Sequence, residues 1–463
     1  MKRKEVCVIG LGFVGAASSV AISNAKDNKD NLLFNVTGVD QNNQNGIKKV
    51  NLINTGKFPF ETNDLKLKGS LKTSIEQGNL FAVSDKKINY SKYDFICIDI
   101  NVDISNVEEN ISFINFENIK KLINSIGKQI KQGTLVLVES TIPPGTCEEI
   151  IWPILLKQIK KRNFTSNDIF LAHSFERVMP GKNYLDSIHN YWRVYSGINK
   201  ISKTKCKKFL ELFINTKDYP LTELNNIRDS ETAKVIENSY RAVNIAFIEE
   251  WAQFCFHNKI DLINVLDAIR LRPSHRNIMK PGIGVGGYCL TKDPLMGEIS
   301  QSQIYKQKAS DFTFSKSAIL INRAMPISTI SKYRKFIKNK KNKDCLIMGY
   351  TYKEDVADLR NSASAVLADE LYNYFKKIFI YDPMLNGFFL EKYNFIYSLK
   401  ELSRNIDSVF LTVGHKEFKT KKMTNILLNL KAKIFDFNCV LDKEQISLLK
   451  RNGISLYVKG RNL

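Results

Sequence analysis

The chain contains no uninterrupted apolar run long enough to cross a membrane. Its first six residues read MKRKEV and lead into a short strand-like segment, which is not the pattern of a secretory signal peptide. We therefore expect a cytoplasmic protein with no secretory leader and no integral membrane association.

Disulfide and metal-binding patterns are also missing. The cysteines include no CxxC pair and no cluster with histidine at metal-ligand spacing. The sequence therefore predicts neither a disulfide framework nor a structural zinc, and no bound metal is expected. The eight cysteines lie at positions 7, 97, 147, 206, 255, 289, 345 and 439.

Patterns of nucleic-acid recognition are lacking too, although the formal net charge is +22. Lysines are spread along the whole chain, without interleaved aromatic residues or a recognisable nucleic-acid-binding module. We expect most of them to be solvated on helix faces and expect no nucleic-acid partner. The same positive field would help to attract a polyanionic small molecule such as a nucleotide.

The length and composition indicate a globular protein of two or three domains. A chain of 463 residues exceeds what one hydrophobic core usually supports. Its share of hydrophobic residues, 43%, and of charged residues, 25%, is ordinary for a globular chain.

The first segment has the order of a dinucleotide-binding unit. Residues 6–9 predict a strand, GLGFVG occupies 10–15, a helix is expected over 16–24, and a second strand over 35–39 ends at Asp40. Further strand-like runs at 95–98, 135–139 and 169–172 alternate with helical stretches. This alternation predicts a doubly wound parallel sheet over residues 1–195.

Each residue of the glycine-rich turn has a physical reason. Gly10 permits the tight turn, Gly12 lets a pyrophosphate approach the backbone, and Gly15 lets helix and strand pack closely. Asp40 favours NAD over NADP, because its carboxylate accepts hydrogen bonds from ribose hydroxyls and repels a 2′-phosphate. The cofactor-binding residues predicted from this segment are Gly10, Gly12, Phe13, Val14, Gly15 and Asp40.

The middle of the chain, residues 196–329, predicts an α-helical domain. A long helix over 232–257 is apolar around much of its circumference, which suggests burial between domains or between subunits. Another helix is expected over 260–270. Lys234 and Asn238 share one face of the long helix, and a lysine and an asparagine there need polar partners.

The last third, residues 330–463, repeats the α/β pattern. Strands are expected at 345–348, 378–381, 409–413 and 434–437, with a helix over 362–375. This predicts a second Rossmann-like domain, although its first turn lacks GxGxxG. The predicted fold class is α/β, with two doubly wound parallel-sheet domains joined by an α-helical middle domain.

Three polar segments are candidates for chemistry. ESTIPPGT at 139–146 and SFERVMPG at 174–181 follow predicted strands, so their polar residues are expected at the carboxyl edge of the sheet, where ligands bind. PGIGVGGYCLTKD at 281–293 presents Cys289 on a glycine-rich loop and Asp293 four residues later. We interpret these glycines as leaving no side chains between the loop and a ligand.

Together these segments resemble the UDP-glucose/GDP-mannose dehydrogenase family, the nucleotide-sugar 6-dehydrogenases. The resemblance covers essentially the whole chain. It includes GLGFVG, ESTIPPGT, ERVMPG at 176–181, the helix with Lys234 and Asn238, GVGGYCLTKD at 284–293, and YTYKEDVADLRNS at 350–362.

The resemblance implies an NAD-dependent, four-electron oxidation of a sugar C6 alcohol to a carboxylate. Cys289 matches the nucleophile that captures the intermediate aldehyde as a thiohemiacetal and carries it to a thioester. Lys234 and Asn238 match the donors that stabilise the alkoxide and the oxyanion. Asp293 matches a residue that orients or deprotonates, and Glu176 and Thr141 match the pair that positions the hydrolytic water.

The remaining roles also come from the resemblance. Glu139 is expected near the nicotinamide, Thr141 is also a candidate for cofactor binding, and Lys353 and Arg360 are expected near the nucleotide diphosphate and its loop. A homodimer through the middle helices is expected, with Arg276 or Arg272 reaching the partner's sugar. The predicted substrate-binding residues are Glu176, Arg177, Lys234, Asn238, Arg276, Gly286, Lys353 and Arg360.

The chain departs from the family pattern in places. Residues 98–103, IDINVD, replace a turn that usually bears proline and threonine, and Phe175 stands where proline is usual. ERVMPG is closer to the branch acting on UDP-N-acetylhexosamines, whereas GYCL at 287–290 is closer to the UDP-glucose branch. We expect a UDP-N-acetylhexosamine as the substrate and surface polysaccharide synthesis as the destination, with UDP-glucose as the alternative.

Two other readings remain open from the sequence. A 2-hydroxyacid or 6-phosphogluconate-like dehydrogenase shares the Rossmann start and the helical middle, but it leaves Cys289 and the last domain unexplained. A non-catalytic protein that binds NAD and a nucleotide sugar is supported only by the unusual residues at 98–103.

Overall fold

The protein is described here by a computed structural model that covers residues 2–105, 112–308, 310–337, 340–402 and 406–462. The strands within this part of the chain are β1 Lys4–Ile9, β2 Phe34–Asp40, β3 Leu80–Ser84, β4 Phe95–Ile98, β5 Ile104–Ser105, β6 Phe113–Ile114, β7 Leu135–Val138, β8 Phe170–His173, β9 Val194–Gly197, β10 Thr222–Glu223, β11 Lys340–Met348, β12 Phe375–Tyr381, β13 Asn394–Ile396, β14 Ile406–Leu411, β15 Lys433–Asp436 and β16 Leu456–Val458.

The α-helices of the same residues are α1 Phe13–Ser23, α2 Gln44–Asn54, α3 Leu65–Glu76, α4 Glu117–Gln129, α5 Trp152–Lys160, α6 Asp186–His189, α7 Lys200–Leu210, α8 Ile227–His257, α9 Leu262–Ile269, α10 Met296–Ile299, α11 Thr313–Ile337, α12 Ala363–Leu371, α13 Lys421–Leu430 and α14 Lys443–Arg451. No helix among them is both long and apolar enough to span a bilayer.

The chain divides into two compact units. The first is Met1–Glu237 with Leu295–Asp311, and the second is Asn238–Pro294 with Phe312–Leu463. The division falls inside α8, so this helix contributes residues to both units.

The first unit is built on an eight-stranded sheet with the order β10-β9-β8-β7-β4-β1-β2-β3. Neighbouring strands are parallel except for β8 and β9. The chain adds strands on one side of β1 as far as β3 and then on its other side from β4 onward. This reversal between β1 and β4 marks the position where dinucleotides bind in such sheets.

The second unit contains a six-stranded, fully parallel sheet with the order β13-β12-β11-β14-β15-β16. Alternate residues of β11 enter different cores. Cys345 and Ile347 belong to the core that includes residues of α11 and α12, and Leu346 and Met348 to the core that includes residues of α13 and α14. Burial on both faces explains why the second half of β11, residues 345–348, is continuously apolar.

The predicted fold class is confirmed, with differences at element ends. Helix α1 starts at Phe13 and not at residue 16. The helix expected over 362–375 ends at Leu371, because Phe375 pairs with Lys340 and already belongs to β12. The first sheet also extends beyond residue 195, through β9 and β10.

Helix α8 is unusual because it exposes large apolar side chains. They recur every three to seven residues, so they lie along one stripe of the helix. Their exposed fractions range from 45% at Trp251 to 62% at Ile236. The stripe consists of Ile236, Tyr240, Phe247, Trp251 and Phe254.

Candidate active site

The turn after β1 has the geometry that a dinucleotide requires. Gly10 has a φ of +99°, and a Cβ there would lie 2.5 Å from the carbonyl oxygen of Asp99, so only glycine fits. A Cβ at Gly15 would collide with the carbonyl of Gly10. Gly12, the N-cap of α1, has open space where its Cβ would be. Backbone N–H groups at the start of α1 are therefore accessible to a pyrophosphate.

Asp40 lies at the end of β2, next to this turn. Its carboxylate accepts hydrogen bonds from the backbone N–H of Leu11 at 3.1 Å and from Lys49 Nζ at 2.9 Å. This position suits the predicted contact with a ribose. Phe13, the next candidate, stacks on Phe60 with ring centroids 4.0 Å apart, and Val14 is half-buried in the first turn of α1.

Glu139 follows β7 and is almost fully buried, with an exposed fraction of 2%. It pairs with Arg193, which is equally buried and also donates to the carbonyl of Ser174 at 3.0 Å. Burial raises the pKa of the neighbouring Asp99 well above its ordinary value, and the negative charges of Glu139 and Glu176 raise it further. The expected contact of Glu139 with the nicotinamide stays a prediction.

Glu176 and Lys234 come together in the first unit. Lys234 Nζ donates to the carbonyl of Glu176 at 3.0 Å and lies 3.8 Å from its carboxylate. Arg177, the neighbouring candidate, pairs with Glu237 at 2.8 Å and donates to the carbonyl of Trp192. Lys234 is 7% exposed, so its charge is held in a largely water-free environment that strengthens its interactions.

Thr141 is half-buried on the loop that follows β7. Glu231 of α8 holds this loop, because its carboxylate accepts from the backbone N–H groups of Gly145 at 2.5 Å and Cys147 at 2.8 Å. Glu231 is fully buried, and burial raises its pKa to about 7 although both hydrogen bonds favour the charged form.

The second unit brings together Asn238, Asp293 and Lys292. The fully buried carboxylate of Asp293 accepts from Asn238 Nδ2 at 2.7 Å and pairs with Lys292 Nζ at 2.7 Å. Asp293 also donates its backbone N–H to the carbonyl of Cys289 at 2.9 Å, so the two residues are one turn apart.

Cys289 is the exposed cysteine of this protein; the other seven, all within the described residues, are buried or half-buried. Several of those buried thiols have raised pKa values, because burial penalises the thiolate, as at Cys147 and Cys345. Accessibility therefore makes Cys289 the cysteine best placed to react with an external molecule.

The arginine and lysine candidates of the second unit lie on exposed segments. Arg360 pairs with its neighbour Asp358 at 2.6 Å, and its guanidinium lies 5.7 Å from the Tyr288 ring. Lys353 is exposed on the same loop after β11. Arg276 and Arg272 are both exposed around a short turn. The structure brings Arg360 close to the cysteine loop but does not distinguish Arg276 from Arg272.

Sequence reasoning missed Arg193, Glu231 and Lys292. A charged residue entering the strand-like run at 194–197 was a signal for Arg193, and an acid one turn before Lys234 was a signal for Glu231. Neither pattern shows which residue the charged side chain would pair with, so no role could be assigned from the sequence.

No group of three or more potential metal ligands occurs among the described residues.

Comparison with known protein families matches three consecutive segments of the chain. Models of the UDP-glucose/GDP-mannose dehydrogenase family match in order: the NAD binding domain over residues 4–213, the central domain over 228–324 and the UDP binding domain over 346–443. The UDP-N-acetyl-D-mannosamine dehydrogenase of Methanocaldococcus jannaschii is 31% identical over 467 residues, which covers 99% of this chain and 96% of that protein. The chain belongs to the UDP-glucose/GDP-mannose dehydrogenase family.

This membership makes the protein an NAD-dependent UDP-sugar dehydrogenase, with NAD as its cofactor. A UDP-N-acetyl-D-glucosamine 6-dehydrogenase of Pseudomonas aeruginosa is 28% identical and covers 97% of this chain and 100% of that protein. The structure of a UDP-D-ManNAc dehydrogenase from Pyrococcus horikoshii shares the fold, with a TM-score of 0.79, 24% identity and 99% coverage of both chains.

Proposed function

We propose that this UDP-sugar dehydrogenase oxidises the C6 alcohol of its substrate to the carboxylate in two hydride transfers, with Cys289 as the covalent nucleophile. The observation that carries the proposal is the exposed thiol of Cys289 one turn before a fully buried carboxylate that binds both an amide and an ammonium group. The matching family motifs, in the same order along the chain, support it.

The first step removes the O6 proton and a hydride from C6 and leaves an aldehyde. An aldehyde is a poor hydride donor until a nucleophile makes it tetrahedral, so the thiolate of Cys289 adds to it and gives a thiohemiacetal. Loss of a second hydride gives a thioester, and water then releases the acid and regenerates the thiol. NAD⁺ supplies the hydride acceptor for each of the two oxidations.

The side chains have distinct roles in this proposal. Lys234, held by Glu176, stabilises the developing alkoxide as a pre-aimed cation. Asn238 donates to the oxyanion, while Asp293 orients it through their 2.7 Å hydrogen bond. Glu176 and Thr141 position the hydrolytic water.

We infer a UDP-N-acetylhexosamine as the substrate, with UDP-glucose as the alternative. The relatives named for N-acetylmannosamine and N-acetylglucosamine support this inference, as does the ERVMPG segment. The product is a UDP-linked uronate, which suits a cytoplasmic enzyme that supplies surface polysaccharide synthesis. Lys353 and Arg360 are proposed to hold the diphosphate, since lysine acts as a point charge and arginine as a planar fork.

We also propose a homodimer formed through α8, within the middle residues 196–329. The exposed stripe of Ile236, Tyr240, Phe247, Trp251 and Phe254 supports it, because monomeric proteins rarely leave so many large apolar side chains in a row on one helix. Arg276 or Arg272 would then reach the sugar bound by the partner.

The product stoichiometry tests the proposed chemistry. Purified enzyme with UDP-sugar and excess NAD⁺ is expected to form two NADH for each uronate, measured by absorbance and by chromatography of the product. Cys289→Ser should lower net turnover by at least about 10³-fold, because the second oxidation loses its nucleophile.

Cys255→Ser, which changes a buried cysteine of α8, is the matched control and should retain activity. One NADH per sugar with release of the aldehyde would contradict the thioester route. The sugar is identified by comparing UDP-glucose, UDP-GlcNAc, UDP-GalNAc and UDP-ManNAc as substrates; a preference for UDP-glucose would contradict the inferred substrate class.

A further inference from the structure

Three asparagine side chains hold alternate residues of the loop that carries Cys289. Asn438 accepts from the backbone N–H of Ile283 at 3.0 Å. Asn322 accepts from the N–H of Val285 and donates to its carbonyl, both at 2.8 Å. Asn361 donates to the carbonyl of Gly287 at 2.9 Å. We call Asn322, Asn361 and Asn438 the asparagine clamp.

Glycines occupy the positions between the clamped residues. A Cβ at Gly282 would lie 2.5 Å from Asn438 Oδ1, and one at Gly284 would lie 2.9 Å from the carbonyl oxygen of Asn322. A Cβ at Gly286 would collide with the carbonyl of Asn361. On the side where each Cβ would point, the clamp itself occupies the space, so glycine is required at these three positions.

The clamp residues come from separate parts of the second unit. Asn322 lies in the middle of α11 and is 8% exposed, Asn361 lies at the end of the loop after β11, and Asn438 follows β15. A buried lysine also holds the loop, because Lys459 Nζ donates a hydrogen bond to the carbonyl of Gly282 at 2.6 Å. The same ammonium group forms an ion pair with Glu249 at 2.7 Å.

The backbone on both sides of Cys289 is consequently fixed. Before the cysteine, Gly287 also donates its N–H to the carbonyl of Arg360 at 2.7 Å. After it, the carbonyl of Cys289 accepts from the N–H groups of Lys292 and Asp293. Only Tyr288 separates the clamped Gly287 from the thiol, so the clamp limits where the sulfur atom can be.

We propose that the asparagine clamp positions Cys289 for attack on the aldehyde, with Asn322 as its central positioning residue. This inference rests on the proposed role of Cys289 as the nucleophile. A side-chain amide suits the task, because the amide of Asn322 satisfies both the N–H and the carbonyl of Val285. A reacting group displaced by about 1 Å loses on the order of 10²-fold in rate.

The test substitutes Asn322→Leu, which keeps the volume and removes both hydrogen bonds. Amide hydrogen exchange of residues 282–288 should become at least about tenfold faster, because opening of this loop becomes easier. Oxidation of the isolated UDP-sugar aldehyde should slow by at least about tenfold, while the dissociation constant for NAD⁺ stays within twofold. Asn322→Asp, which keeps the acceptor for Val285 N–H, serves as a second variant if Asn322→Leu does not fold.

Asn373→Leu makes the same chemical change at an exposed position and should alter none of these values. Unchanged exchange in folded Asn322→Leu would overturn the clamp, and so would unchanged exchange in Asn322→Asp, whose carboxylate can no longer donate to the carbonyl of Val285. Faster exchange with normal aldehyde oxidation would overturn the positioning role, even if Cys289→Ser is inactive. If Cys289→Ser retains turnover, the proposed function itself fails, and the positioning role fails with it.

Discussion

At the scale of single residues, buried charges organise the first unit. Arg193 holds Glu139 at the carboxyl end of β7, and Glu231 holds the loop with Thr141 through two backbone N–H groups. Neither Arg193 nor Glu231 faces solvent. Breaking such a buried pair leaves a desolvated charge, which costs more than losing a surface ion pair.

Glu231 gives a pH-dependent prediction. Its pKa is about 7 in the fold against 4.5 as the ordinary value, so the unfolded chain releases this proton first as the pH rises. Between pH 4.5 and 7 the folded state therefore binds more protons than the unfolded chain, and the free energy of unfolding falls as the pH rises. Across this pH range the free energy of unfolding should fall by on the order of 3 kcal/mol because of Glu231.

Glu231→Gln should remove this dependence. Melting curves of the wild type and the variant across that pH range should show the wild type losing several degrees relative to Glu231→Gln as the pH rises. Below pH 4.5 and above pH 7 the difference should be constant, because the carboxyl no longer titrates differently in the two states. A difference that does not change with pH would contradict the raised pKa.

At the scale of elements, α8 presents two different surfaces along its 31 residues. One side carries Glu231, Lys234 and Asn238, whose polar groups are all buried and hydrogen-bonded. Another carries the exposed apolar stripe. The exposed stripe is the surface on which the partner of the proposed dimer would pack.

The substitution Trp251→Glu tests whether the exposed stripe of α8 forms the proposed dimer interface. A charge within the stripe should dissociate the proposed dimer into monomers, because an unpaired carboxylate would have to be desolvated in the interface. Sedimentation or light scattering measures the mass. Phe389→Glu makes a comparable change at another exposed apolar residue and should leave the mass unchanged. A wild type that is already monomeric, or a Trp251→Glu dimer, would contradict the assignment.

At the scale of the whole molecule, the protein carries a net charge of +22. Its two substrates, NAD⁺ and a UDP-sugar, both carry negatively charged phosphate groups. Such a field raises association rates and is screened by salt, with a Debye length of about 10 Å at 0.1 M and about 3 Å at 1 M. The lysines need no specific contact for this effect.

Raising the salt concentration should therefore lower kcat/KM for the UDP-sugar by at least about threefold, with kcat nearly constant, since encounter and not chemistry is affected. Steady-state kinetics between about 0.05 and 0.5 M sodium chloride measure it. Sucrose at matched viscosity is the control. A fall in kcat without a change in kcat/KM would indicate that salt acts on the reaction itself.

The amino-acid sequence alone determined the α/β class, the dinucleotide turn with Asp40, and the candidate residues Lys234, Asn238, Cys289 and Asp293. These follow from short patterns: a strand, a glycine turn, a helix repeat or a motif of a few residues. Such patterns are local, so the order of residues is enough to read them.

Only the tertiary structure decided which side chains support that chemistry. Ile283 and Asn438 are 155 residues apart, Gly145 and Glu231 are 86 apart, and Glu139 and Arg193 are 54 apart. No periodicity links such positions, because strand order and helix packing bring them together. The same reason applies to the glycines before Cys289: the sequence shows that side chains are absent there, and the fold shows that Asn438, Asn322 and Asn361 lie where a Cβ at Gly282, Gly284 or Gly286 would be.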